Sequence, residues 1–165
     1  MTADEFVESL AALCPTDAEL QSHGLDESDI QDIKSTFTCV PRRVPSEDVH
    51  ATNPIFDLLN RYDCTSVQLP NFRFAERPQH TENGVLIGWS EADPVLLGNG
   101  SIACHDHAAL NYIITACAQD SSRFLAALIH FAAHYRSSVW RERRGELGHE
   151  CASIAGAPSS WKFYV

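Results

Sequence analysis

The stretch VLIGWSEADPVLLGNGSIACH, residues 85–105, carries the reading that sets the architecture. Three apolar runs, Val85–Trp89, Val95–Leu97 and Ile102–His105, are each too short for a helix and are separated by turn residues, the pattern of consecutive strands. Gly98-Asn99-Gly100 is a strong hairpin signal, because both residue types tolerate positive φ. Working outward, Ser66–Leu69 and Phe72–Phe74 read as further short strands on one side. Tyr112–Cys117 reads as a candidate edge strand on the other. The simplest arrangement is an antiparallel meander.

Helical signals flank this region. Thr2 to Glu5 and Thr16 to Glu19 have the form of capping boxes; the first opens a helix that Pro15 ends, the second a helix that Gly24 stops. Asp26 caps a third helix reaching about Phe37, with Ile30, Ile33 and Phe37 on one face. Pro41 and Pro45 mark a loop, and Asn53-Pro54 starts a fourth helix to about Tyr62 with Phe56 and Leu59 on its buried side. The strongest helix runs from Ser121 to about Ser137 behind Asp120, its apolar face formed by Phe124, Leu125, Leu128, Ile129, Phe131, Ala132 and Tyr135. The expected fold class is α+β: an antiparallel or mixed central sheet of about 5–6 strands, packed by N-terminal helices and a long C-terminal helix. One domain over residues 1–140 is expected, with a basic, Gly-rich tail over 141–165 docked on it.

The 165 residues are 44% apolar and carry a net charge of −10. The acid is concentrated early: residues 1–60 hold 12 acids against 3 bases, while residues 121–165 carry a net +3. Nucleic-acid binding needs a basic footprint, and the short Arg141, Arg143, Arg144 cluster is a poor one, so a cationic protein partner fits better. No apolar stretch is long enough to span a bilayer, and Asp4, Glu5 and Glu8 are unlike the basic start of a signal peptide, so a cytoplasmic, non-membrane protein is expected. Six isolated cysteines, without a C-x-x-C pair, read as reduced and mostly buried thiols.

Three groups of residues invite a chemical reading. His105 and His107 would share a strand face, and His130 and His134 have zincin-like i, i+4 spacing. The helix lacks the H-E-x-x-H glutamate, and its apolar face turns both histidines outward, so the two pairs are not expected to converge. Neither metal nor cofactor is expected, and no catalytic residue is assigned. A metal-dependent hydrolase using His105, Asp106 and His107 is the rival reading. Glu91 and Asp93 could act as an acid–base pair, Asp93 could instead bond its own turn before Pro94, or both could receive a basic group beside Trp89.

The order of elements resembles the SUKH superfamily, bacterial toxin-immunity proteins related to a fungal cell-wall regulator. Gly24-Leu25-Asp26-Glu27-Ser28-Asp29-Ile30 through Ile33 to Val40-Pro41 is similar to that family's opening. Tyr62-Asp63 followed by Ile87-Gly88-Trp89-Ser90-Glu91-Ala92-Asp93-Pro94 resembles its core, and Cys117–Leu125 resembles the start of its closing helix. The resemblance implies a non-enzymatic binding module that neutralises a cognate secreted toxin, frequently a nuclease and so a basic protein. Asp63, Trp89, Glu91 and Asp93 are the expected contact residues. A regulatory scaffold like the fungal relative is a further reading.

Overall fold

The computed structural model describes residues 1–43, 53–69, 71–135 and 141–165. Three short helices open the chain: α1 (Ala3–Ala12), α2 (Asp17–Ser22) and α3 (Glu27–Ser35). Each begins at a residue whose side chain accepts from an otherwise unpaired backbone N–H. Thr2 accepts from Glu5 N at 3.2 Å while the Glu5 carboxylate accepts from Thr2 N at 2.7 Å, and Thr16 with Glu19 repeats the reciprocal pattern. Asp26 accepts from Asp29 N at 2.9 Å. After a two-residue strand β1 (Val40–Pro41), Asn53 caps α4 (Pro54–Arg61), and β2 (Tyr62–Asp63) returns to pair antiparallel with β1. Of the loop expected around Pro41 and Pro45, Pro41 lies instead in β1, where it pairs with Tyr62, and residues 44–52 fall outside the described residues.

The central sheet is a five-stranded antiparallel meander in chain order: β3 (Arg73–Thr81), β4 (Gly84–Ser90), β5 (Asp93–Gly98), β6 (Ser101–Asp106) and β7 (Ala109–Ala118). Asn99 at φ 52° and Gly100 at φ 83° form the hairpin between β5 and β6. Helix α5 (Ser121–Tyr135) follows, with Asp120 accepting from Arg123 N at 2.8 Å, and packs with α1 and α4 against the sheet. Edge-to-face aromatic contacts tie the layers together: Phe6 on α1 meets Phe74 at 5.7 Å, Phe74 meets Phe72 at 4.9 Å, and Phe72 meets Phe124 on α5 at 5.2 Å between ring centroids.

The α+β expectation stands, with differences in detail that have physical reasons. Ser66–Leu69 is a turn and not a strand: Val67 N bonds back to Cys64 O at 3.1 Å, and Leu69 makes only a single bridge to Phe72. Phe56 is half-buried, because the core face of α4 is carried by Ile55, Leu58 and Leu59. Tyr135, placed by the wheel on the buried face of α5, is 42% exposed. The C-terminal segment holds helix α6 (Arg144–Ile154) and a closing 3-10 turn, Pro158–Phe163, which bring Leu147, Cys151, Phe163 and Tyr164 into the core. Tyr164 donates its hydroxyl to Cys117 O at 2.8 Å. No described helix is long and apolar enough to cross a membrane.

Candidate functional site

Strand register places Trp89 of β4 opposite Arg73 of β3 and Pro94 of β5. The Arg73 guanidinium stands 5.1 Å from the centroid of the Trp89 ring, a cation–π arrangement at a half-buried aromatic. Two residues further, Glu91 forms the tip of the β4–β5 hairpin with φ 54°, a left-handed conformation that a non-glycine residue adopts at some cost. Its carboxylate is exposed and has neither a hydrogen bond nor an ion pair among the described residues.

Trp89 and Glu91 line one end of an open cleft of about 620 Å³, together with Arg73, Phe72, Leu69 and Tyr135. A second, more apolar cleft of about 310 Å³ adjoins it, sharing Gln68, Leu69 and Tyr135 and continuing to Leu10, Ile33 and Phe37. The two form one groove from the hairpin tip to helix α3. Ile33 faces that groove, while Glu27, Asp29 and Asp32 lie on the exposed side of α3. None of these three carboxylates has an ion-pair partner among the described residues. Other N-terminal acids are neutralised internally: Asp17 pairs with Lys34 at 2.6 Å and Asp4 with Arg61 at 2.8 Å.

The other two expected contact residues lie elsewhere. Asp93 turns neither to its own turn nor into the groove; its Oδ1 accepts from His107 Nδ1 at 2.6 Å and from His107 N at 3.1 Å. Asp63 accepts from the Thr65 amide at 3.0 Å and the Thr65 hydroxyl at 2.7 Å, bonds that hold its carboxyl below the usual carboxylate range. It borders a separate cleft of about 320 Å³ lined by Arg42, Arg43 and Arg77, so its surroundings are cationic.

The histidines are also separately employed. His105 is buried and its Nδ1 bonds Leu110 O at 2.7 Å, which holds the irregular start of β7 against β6. His107 sits in the following turn, so the two do not share a strand face. His130 and His134 meet Glu150 of α6, a neighbour that spacing alone did not reveal. Burial pushes the Cys104 thiol up to about 11, the Cys151 thiol up to about 12, and Cys117 well above its ordinary value. These thiols stay protonated near neutrality, unlike an activated nucleophile.

The His107–Asp93 pair makes a direct pH test. Its hydrogen bond raises His107 above the ordinary 6.5 and lowers Asp93 below 3.8. The His107 contribution is present below 6.5 and lost as pH rises through its raised folded value; the Asp93 contribution is present above 3.8 and lost as pH falls through its lowered one. The pair is therefore strongest between those limits. The His107 ring resonances should titrate above 6.5 and return toward it in Asp93→Asn. An identical titration in both proteins would show that the bond does not form in solution.

No family model, curated protein or solved structure matches the chain.

Proposed function

We propose that this chain is a protein-binding module whose groove, from Trp89 and Glu91 to Ile33 and Phe37, receives a basic segment of another protein. The observation that carries the reading is Glu91, a carboxylate without a partner among the described residues, at a hairpin tip beside a half-exposed tryptophan on an open cleft. A cation from a partner would gain a charge-assisted hydrogen bond at Glu91, while the Trp89 ring beside it already carries Arg73 over one face and offers apolar contact area. The apolar continuation toward Ile33 and Phe37 accommodates side chains flanking that cation. The exposed carboxylates of α3 add a field that speeds encounter with a positively charged protein.

The SUKH resemblance supplies the biological setting. In this reading the chain is an immunity protein that works in the cytoplasm and neutralises a cognate toxin. A nuclease is the apt kind of toxin, because an active site that binds phosphate is itself basic and invites an acidic inhibitor. Asp63 and Asp93 are already engaged within the chain, so in this reading Trp89 and Glu91 contribute most to affinity.

Co-expression with the product of a neighbouring toxin-like gene tests the role: a stable complex and restored growth are expected, and neither appearing would remove the idea. Within such a complex, Trp89→Ala should weaken binding by about 2 kcal/mol, or roughly 30-fold. Glu91→Lys should slow association, most visibly at low salt. Both variants should keep the parent's circular dichroism and melting temperature. Unchanged affinity in both would reject the groove as the docking site.

A further inference from the structure

Helix α5 presents His130 and His134 one turn apart on its outer side, and α6 packs against it with Glu150 facing them. A ring nitrogen from each histidine and a carboxylate oxygen of Glu150 all lie within 4.8 Å of one another. The imidazole rings are 4.4 Å apart between centroids, and His130 Nε2 is already 2.9 Å from Glu150 Oε2. We propose that His130, His134 and Glu150 form a binding site for a divalent transition metal of the zinc class, linking α6 to α5.

Two features beyond proximity support this assignment. The first is the orientation of His134, whose Nδ1–H donates to the backbone carbonyl of His130 at 2.9 Å. That bond fixes the tautomer and leaves Nε2 with its lone pair available, the arrangement by which outer partners prepare metal-binding histidines. The second is the donor set. Two imidazoles and one carboxylate suit zinc and its neighbours, whereas magnesium and calcium favour oxygen-only shells. Tetrahedral zinc with bonds near 2.0–2.1 Å places its ligands about 3.3 Å apart, and the donor atoms already lie within 4.8 Å of one another. On entry of the metal, the His130 ring proton transfers from Nε2 to Nδ1, and the Nε2 lone pair replaces the hydrogen bond to Glu150 with a coordinate bond. No redox change is involved, and a water molecule completes the fourth position.

Arg143 competes for the same carboxylate, with Nη2 at 3.2 Å from Glu150 Oε1. This neighbour provides a variant that should improve binding. A second cluster, Asp93, Asp106 and His107, also brings three donor groups together, but its imidazole is exposed and already bonded to Asp93. It serves as the internal control.

The experiment is equilibrium dialysis of the purified full chain against zinc sulfate, with bound metal measured by mass spectrometry, and cobalt(II) substitution to read the ligand field. One equivalent of zinc is expected, with a tetrahedral-type cobalt spectrum. His134→Gln and Glu150→Gln should each weaken binding by at least about tenfold, as loss of a ligand does. His107→Gln should bind as the parent does, and Arg143→Gln roughly two- to fivefold more tightly. Circular dichroism of each variant separates lost ligation from lost folding. Less than a tenth of an equivalent bound at micromolar zinc would overturn the proposal, as would retention in the doubly substituted His134→Gln, Glu150→Gln protein or loss in His107→Gln.

Discussion

Gly88→Ala is expected to destabilise the domain by about 3 kcal/mol or more, at the upper end of overpacking penalties. A methyl group at this position would collide with the Arg73 backbone carbonyl and stand 2.6 Å from Cε2 of the Phe72 ring. A backbone oxygen in a strand ladder cannot step aside as the tip of a lysine would. Gly88 pairs with Phe74 across to β3 and with Val95 across to β5, and both pairings shift register beside it. The two strands therefore approach closely over a residue without a side chain, and widening that gap would also disturb the aromatic contacts of Phe72. Urea denaturation should show a lower midpoint with an unchanged slope. Gly145→Ala is the appropriate control, because nothing lies within 4 Å of its added methyl group and it sits within α6. That variant should be neutral or slightly stabilising. Equal stability of Gly88→Ala and the parent would refute the close approach.

The second large effect is expected at Phe124, which is fully buried and touches Phe72 at 5.2 Å and Phe163 at 6.1 Å between centroids. Phe124→Ala should cost about 3–5 kcal/mol, the range for deleting a buried aromatic side chain in a core that relaxes only partly. The contacts matter as well as the size. Phe124 connects Phe72, immediately before β3, to the closing turn residue Phe163, so the cavity would lie where helix, sheet edge and C-terminal turn meet. Phe124→Leu keeps most of the volume and should lose markedly less. If the alanine and leucine variants unfolded at the same denaturant concentration, the edge-to-face ring contacts rather than the filled volume would account for the stability.

Much of this architecture was readable in advance because local rules and global packing agree. Thr2, Thr16, Asp26 and Asn53 each cap the helix that their chemistry announces, and Asn99-Gly100 makes the expected hairpin. The departures arise where tertiary contacts decide. Helix α6 contains Gly145 and Gly148 and few apolar residues, so its propensity is weak. A side chain at Gly148 would come within 2.8 Å of the Trp161 carbonyl, which makes that glycine a packing requirement and not a helix signal. Tyr135 belongs to the apolar face of α5 by the helical wheel, yet it stands at the end of the helix and lines both clefts.

The candidate groove was legible only in part. Trp89 and Glu91 stood out through composition and turn position, but Arg73, Leu69 and Tyr135 join them only once strand register and helix packing are known. Asp93 seemed equivalent to Glu91 on spacing, and only the β5–β6–β7 connections bring His107 close enough to occupy it. Glu150 was similarly invisible, because it meets His130 from 20 residues away in sequence.

The packing of α1 also bears on how the polypeptide is made. Phe6 is buried against Phe74, and the Ser122 hydroxyl donates to the Met1 carbonyl at 3.1 Å across 121 positions of sequence. A ribosome adding roughly 5–20 residues per second needs on the order of ten seconds to deliver α5 after α1 has emerged. Throughout that interval Phe6 and Leu10 lack the α5 surface that covers them, and are open to chaperones.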